Sequence, residues 1–150
     1  MRLVTVMENA VVIDAKGLVL GRIASNVAKR LLQGEKIFIL NAEKAVISGR
    51  RLSRVREAKT FLEVGHPRKG PYHPRRPDQV LRRTVRGMLP RKKPKGMEAY
   101  RRLRVFIGVP QEFEGKETKT IPDADAEKLR CPYITLGELA EETGWKKGDR

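Results

Sequence analysis

The sequence predicts an α/β fold on a short, mainly parallel sheet. Three observations predict it. Ala10–Asp14 (AVVID) and Lys36–Leu40 (KIFIL) are short, apolar, β-branched runs of the kind that form buried strands. Between them Leu20, Ile23, Ala24, Val27, Ala28 and Leu31 recur at helical spacing, with Arg22, Lys29 and Arg30 off that face and Gly34 as a stop. A strand, a helix of about a dozen residues and a second strand make a βαβ unit, which implies parallel pairing and a right-handed crossover.

The remaining elements follow in order. Asn41 begins a turn, and residues 45–48 read as a short strand ending at Gly49. Ser53 is a candidate N-cap for a helix to about residue 64, with Val55, Ala58, Phe61 and Leu62 turned inward. Residues 65–77 (GHPRKGPYHPRRP) hold four prolines and two glycines, so this stretch should be extended and irregular. Asp78 is a candidate N-cap for a helix over residues 79–89. Pro90 to Pro94 breaks it, and a short helix runs on to about residue 102. Residues 105–107 should form the last core strand, beside and parallel to the first two runs. Residues 114–130 are charged and nearly lack large apolar side chains, which predicts a surface excursion. Thr135 with Glu138 forms the capping-box pattern before Leu136, Leu139 and Ala140, and Gly144 follows the helix.

At 150 residues the default is one domain, and the apolar share is enough for a real core. Charge is far from evenly spread. Residues 50–104 hold nineteen Lys/Arg against four Asp/Glu, a net +15, while the flanks hold fourteen of each sign. The whole excess of the chain therefore belongs to this segment, and an acidic, partly irregular C-terminal third follows over 111–150. Concentrated like charge opposes folding, so its usual reason is a polyanionic partner. Neutralisation of phosphates by Lys and Arg dominates nucleic-acid affinity.

Other classes fit less well. No apolar run approaches the roughly 20 residues of a membrane helix, and Met1–Ala10 lacks the apolar region and cleavage site of a signal peptide. Trp145, the one tryptophan, is far from the basic segment, which argues against a basic amphipathic membrane anchor. Cys131 is alone, so no disulfide framework and no paired-cysteine metal site exists. These features describe a soluble, intracellular chain.

The helix over 79–89 is the best-defined candidate site. At 100° per residue, Val80, Leu81, Thr84, Val85 and Met88 fall within an arc of about 140°. Arg82, Arg83, Arg86 and Gln79 lie opposite. Three arginines without acidic partners one turn away gain nothing from each other, and arginine suits bidentate phosphate contact and base stacking. The candidate nucleic-acid contacts are then Arg50, Arg51 and Arg54; Arg68, Lys69, Tyr72, His73, Arg75 and Arg76 in the proline-rich loop; Arg82, Arg83 and Arg86; Arg91, Lys92, Lys93 and Lys95; and Arg101 and Arg102. Tyr72 suits either packing or stacking on an unpaired base.

Catalytic readings find little support. His66 and His73 stand beside no Ser, Cys or Asp in a nucleophile pattern, and the nearby sequence offers no further metal ligands. Gly17-Leu18-Val19-Leu20-Gly21-Arg22 opens a helix after a strand, but it is neither a Walker-type phosphate loop nor a dinucleotide fingerprint. Its glycines better serve the turn and close packing of helix on sheet. Asp14 is an isolated carboxylate. A nucleotide-dependent RNA-modifying enzyme would need a complete glycine fingerprint and polar catalytic groups. A free DNA-binding regulator would show a helix-turn-helix with polar base-reading residues.

Four strings together carry a family resemblance: VVIDAKGLVLGRIAS (11–25), AEKAVISG (42–49), GPYHPRRPDQVLRRTVRGMLPRKKPKGMEAYRRLRVFIGVP (70–110) and LGELAEETGW (136–145). The chain resembles the thirteenth large-subunit ribosomal protein family, with RTVRGMLP (83–90) the most specific stretch. GPYHPR, and the lack of a histidine-bearing string after Gly108, resemble the archaeal and eukaryotic branch. The resemblance implies a three-layer α/β/α sandwich around a short, mainly parallel sheet of about four strands, with basic loop and helix extensions. It implies a structural constituent of the cytoplasmic large ribosomal subunit, binding large-subunit ribosomal RNA chiefly through residues 65–104 beside neighbouring ribosomal proteins. It implies no enzymatic activity, cofactor, metal or small-molecule substrate.

Overall fold

The computed structural model describes residues 10–148; the stretch before Ala10, where no signal peptide is expected, lies outside them. The chain runs β1 (Ala10–Asp14), α1 (Leu20–Leu32), β2 (Lys36–Leu40), β3 (Val46–Ser48), α2 (Arg51–Glu63), α3 (Pro77–Gly87), α4 (Pro94–Arg101), β4 (Leu103–Val105), β5 (Tyr133–Thr135) and α5 (Leu136–Glu142). β1 and β2 pair in parallel, Val12 opposite Phe38. β4 joins the far side of β2, also in parallel, with Ile37 opposite Leu103. The sheet order is therefore β1–β2–β4.

Alternation along the strands makes two apolar faces. Ile13, Ile37, Ile39 and Leu103 point toward Ile23, Val27 and Leu31 of α1 and Leu81 and Val85 of α3, all fully buried. Burying a side chain of this size is worth about 1.5–3 kcal/mol, so this face anchors the helices. The opposite face carries Val12, Phe38 and Leu40 under Phe106 and Phe113. The three phenylalanine rings sit 5.3–6.1 Å apart, centre to centre.

The α/β sandwich expected of the family is present, but the main sheet has three strands rather than about four. The run expected as a fourth becomes β3, which pairs antiparallel with β5, Ile47 opposite Ile134. Asn41 sets this departure. It adopts the left-handed conformation, φ 54°, which asparagine tolerates better than most residues. Its side-chain Nδ2 donates to Asp14 Oδ1 at 2.9 Å. The chain then makes a 3₁₀ turn over Ala42–Lys44 and leaves the sheet. Asp14 is thus a local structural carboxylate.

The last core strand is Leu103–Val105, not 105–107. Leu103 is fully buried against the helices, and Phe106 already turns to the other face. Residues 114–130 are less of a surface excursion than expected. Lys119 bridges to Ile13 at the β1 edge, and Ile121, Ala124 and Ala126 are buried. The backbone supplies the attachment here, so few large apolar side chains are needed. Thr135 caps α5 as predicted, its Oγ1 accepting from the Glu138 N–H at 3.3 Å.

α2 departs furthest from expectation. It begins at Arg51, not after a Ser53 cap. Val55, Ala58 and Leu62 are only half-buried, and Phe61 is 62 % exposed. The helix packs beside α5 and β5, away from the main core, and polar ties hold it. Arg51 Nη2 donates to Glu142 Oε1 at 2.7 Å. Arg54 Nε donates to the Ser48 carbonyl at 2.7 Å.

Candidate nucleic-acid interface

α3 is the axis of the basic surface. Pro77 occupies its first turn, where the missing N–H costs nothing, and Arg76 rather than Asp78 is the flanking residue. Asp78 instead sits buried in that turn, favourable against the helix dipole. Arg76 grips it with two hydrogen bonds, Nε to Oδ1 at 3.2 Å and Nη2 to Oδ2 at 3.1 Å. The helix ends at Gly87, two residues before its expected end, so Met88 is 44 % exposed and Leu89 turns into the core instead.

The proline-rich loop before α3 is more organised than an extended stretch. His66 N–H donates to the Gly70 carbonyl and Gly70 N–H to the His66 carbonyl, at 3.0 and 2.8 Å, closing a tight turn. Gly65, at φ 113°, has no room for a side chain: a Cβ there would sit 2.7 Å from Pro71 Cδ. His66 Nδ1 accepts from the Arg68 N–H at 3.2 Å. Tyr72 Oη donates to the Arg68 carbonyl at 2.6 Å, while the residue stays 70 % exposed. His73 meets Phe61 edge-on, ring centres 5.5 Å apart.

The candidate contacts divide into three kinds. Arg51, Arg54, Arg76 and Arg102 are engaged with the protein, Arg102 through Nη2 to the Leu31 carbonyl at 2.8 Å. Arg82 and Arg83 are half-buried and shared: Arg82 stacks on Tyr100, and Arg83 Nη1 donates to the Tyr72 carbonyl at 3.1 Å. Among the described residues, Arg50, Arg68, Lys69, Arg75, Arg91, Lys92, Lys93, Lys95 and Arg101 are exposed, with no hydrogen bond or ion pair from their side chains to the protein. Arg86 is half-buried and likewise has no such partner there; its Nε and that of Arg82 are buried donors without an acceptor.

Sequence reasoning passed over Gln79 and Tyr100 as contacts. Both line a cavity of about 340 Å³ with Tyr72, His73, Arg83 and Arg86. The available signal was Tyr100 inside a basic run, before Arg101 and Arg102. Arg56, Lys59 and Arg104 are further exposed cations of the segment.

Sites of other kinds are weaker. The N-terminus of α1 is covered by main chain, Val19 N–H donating to the Ala124 carbonyl at 2.7 Å. Gly17 N–H donates to the Lys44 carbonyl at 3.1 Å, a turn and packing role. Among the described residues no three His, Cys, Asp or Glu side chains gather as a metal site, and no helix is long and apolar enough to cross a membrane.

Comparison with known proteins places the chain in a family. The model of a family described as ribosomal protein L13 matches residues 8–112. The large ribosomal subunit protein uL13 of Methanosarcina barkeri is 53 % identical over 137 residues, covering 90 % of this chain and 98 % of the relative. Its namesake from Archaeoglobus fulgidus is 48 % identical, covering 95 % and 92 %. That of Saccharolobus solfataricus is 42 % identical, covering 93 % and 96 %. With a family model across most of the chain and relatives of this identity across nine-tenths of it, the chain belongs to the ribosomal protein L13 family.

Proposed function

We propose that the protein is a structural, non-enzymatic constituent of the large ribosomal subunit in the cytoplasm and binds large-subunit ribosomal RNA. The observation that supports this best is the set of cations at Arg68, Lys69, Arg86, Arg91, Lys92, Lys93 and Lys95, whose side chains have no hydrogen bond or ion pair to the protein among the described residues. They flank a helix whose other side is core. In this reading the 150 residues serve as one domain. Its basic part neutralises closely packed phosphates and holds RNA helices in their assembled arrangement. Contacts go mostly to backbone and shape, because side chains cannot read the deep, narrow major groove of A-form RNA. Arg51, Arg54, Arg76 and Arg102 support the surface, and the exposed cations make the contacts. Neighbouring large-subunit proteins are the protein partners this role implies.

Sucrose-gradient fractionation of lysate carrying tagged full-length protein tests the proposal. The protein should sediment with the large subunit and be released by high salt. A protein that stays at the top of the gradient would overturn it.

A further inference from the structure

We propose that the cavity between the extended Tyr72–Pro74 segment and α3 takes one unpaired nucleotide of the bound RNA, its base stacked on Tyr72 and its phosphate against Arg83 and Arg86. This rests on the RNA-binding reading and adds to it a specific ligand class. Phosphate contact alone needs only exposed cations. The cavity offers more. Its volume of about 340 Å³ lies at the low end of the roughly 300–1,000 Å³ usual for small-molecule sites, suited to a nucleotide and not to a duplex.

Its walls have the right chemistry. Tyr72 is 70 % exposed, yet its hydroxyl is tied to the Arg68 carbonyl at 2.6 Å, so the ring is presented in a fixed place. Aromatic faces take splayed-out RNA bases in just this way. Across the cavity Tyr100 is backed by the Arg82 guanidinium, 4.7 Å from its ring centre. Gln79, exposed on the first turns of α3, brings an amide able to donate to and accept from a base edge. Arg83 spends Nη1 on the Tyr72 carbonyl and keeps its other donors. Arg86 spends none on the protein, among the described residues, and its Nε is a buried donor still without an acceptor. Buried polar groups are normally satisfied, and a phosphate at the cavity mouth would engage the rest of this guanidinium.

The test uses full-length protein and two RNA hairpins, one fully paired and one with a single bulged 2-aminopurine. The bulged hairpin should bind several-fold more tightly, and its fluorescence should be quenched on binding. Tyr72→Ala should abolish the quench and remove the preference for the bulge, a loss of roughly five-fold or more for the bulged hairpin against a smaller loss for the paired one. Tyr72→Phe, which keeps the ring but loses the tie to the Arg68 carbonyl, should retain part of both. Gln79→Ala should narrow the preference among the four bulged bases. Equal affinity for both hairpins without quenching would overturn the nucleotide site and leave the RNA-binding reading standing. Failure to bind either hairpin would overturn both. Displacement of the quench by micromolar adenosine monophosphate would make the cavity a mononucleotide site and overturn the proposal in that way.

Discussion

The Arg82 guanidinium lies 4.7 Å from the centre of the Tyr100 ring, so a cation stacked on an aromatic face joins α3 to α4. The three arginines of α3 are therefore not equivalent. Arg82 and Arg83 are spent on protein groups, Tyr100 and the Tyr72 carbonyl, whereas Arg86 touches no protein acceptor among the described residues. Arg82→Ala should destabilise by about 1–2 kcal/mol, the range for a partly desolvated cation–π pair. Arg86→Ala should stay within about 0.5 kcal/mol of the parent and still weaken RNA binding. Urea melts beside RNA titrations check both. Equal destabilisation by the two changes would contradict the division of labour.

A second prediction concerns the tie between α2 and α5. The hydrogen bond and charge of Arg51 hold the Glu142 carboxyl below the usual carboxylate range, and the same contact raises Arg51. A carboxyl whose folded pKa is depressed stabilises the fold above its unfolded value, about 4.3 for glutamate. That contribution is lost as pH falls through the lower folded value. The difference in urea midpoint between parent and Glu142→Gln should be constant above about pH 5 and shrink toward zero below about pH 4. A difference that does not change with pH would show that the ion pair does not anchor α2.

Gly96 supplies a third. A Cβ there would collide with the carbonyl of Pro90, a backbone atom that cannot swing aside. Gly96→Ala would gain up to about 1 kcal/mol of helix propensity, but the overlap should cost more, typically about 1–3 kcal/mol. Net destabilisation is expected. Gly87→Ala is the control, with nothing within 4 Å of its Cβ, and should be neutral or slightly stabilising. A Gly96→Ala protein as stable as the control variant would show that the turn over residues 90–94 relaxes freely.

The fourth tests the exposed cations directly. Arg91, Lys92 and Lys93 are exposed, with no hydrogen bond or ion pair to the protein from their side chains among the described residues. Changing all three to Glu should leave the melting temperature near that of the parent. Each neutralised phosphate contributes roughly 0.7–0.9 to the salt slope of log K, so the slope should flatten by about two units. Unchanged slope and affinity would mean that this turn is only a solvated surface.

The sequence was informative where local periodicity coincides with burial. The limits of β1 and β2, the buried face of α1 and the Thr135 cap all follow from spacing alone. It was misleading where a longer-range partner decides. Val55, Ala58, Phe61 and Leu62 look like a core face, yet their helix docks through Arg51 and Arg54 and leaves Phe61 exposed. Tyr133–Thr135 is too short to announce itself, and it becomes a strand only because β3 lies beside it. Asp78 reads as a cap until Pro77 takes the first turn and Arg76 folds back over it.

By itself the sequence determined the α/β class, the parallel pairing of its first two strands and the segment that carries the charge. Those depend on neighbours a few residues apart and on composition. Tertiary structure decided which cations are free. An arginine looks the same in the sequence whether its donors are spent or not. Only packing brings the Leu31 carbonyl to Arg102, Glu142 to Arg51 and the Tyr100 ring to Arg82. Hydrogen bonds and stacking act over a few ångströms, and the partners here lie up to 91 residues apart along the chain.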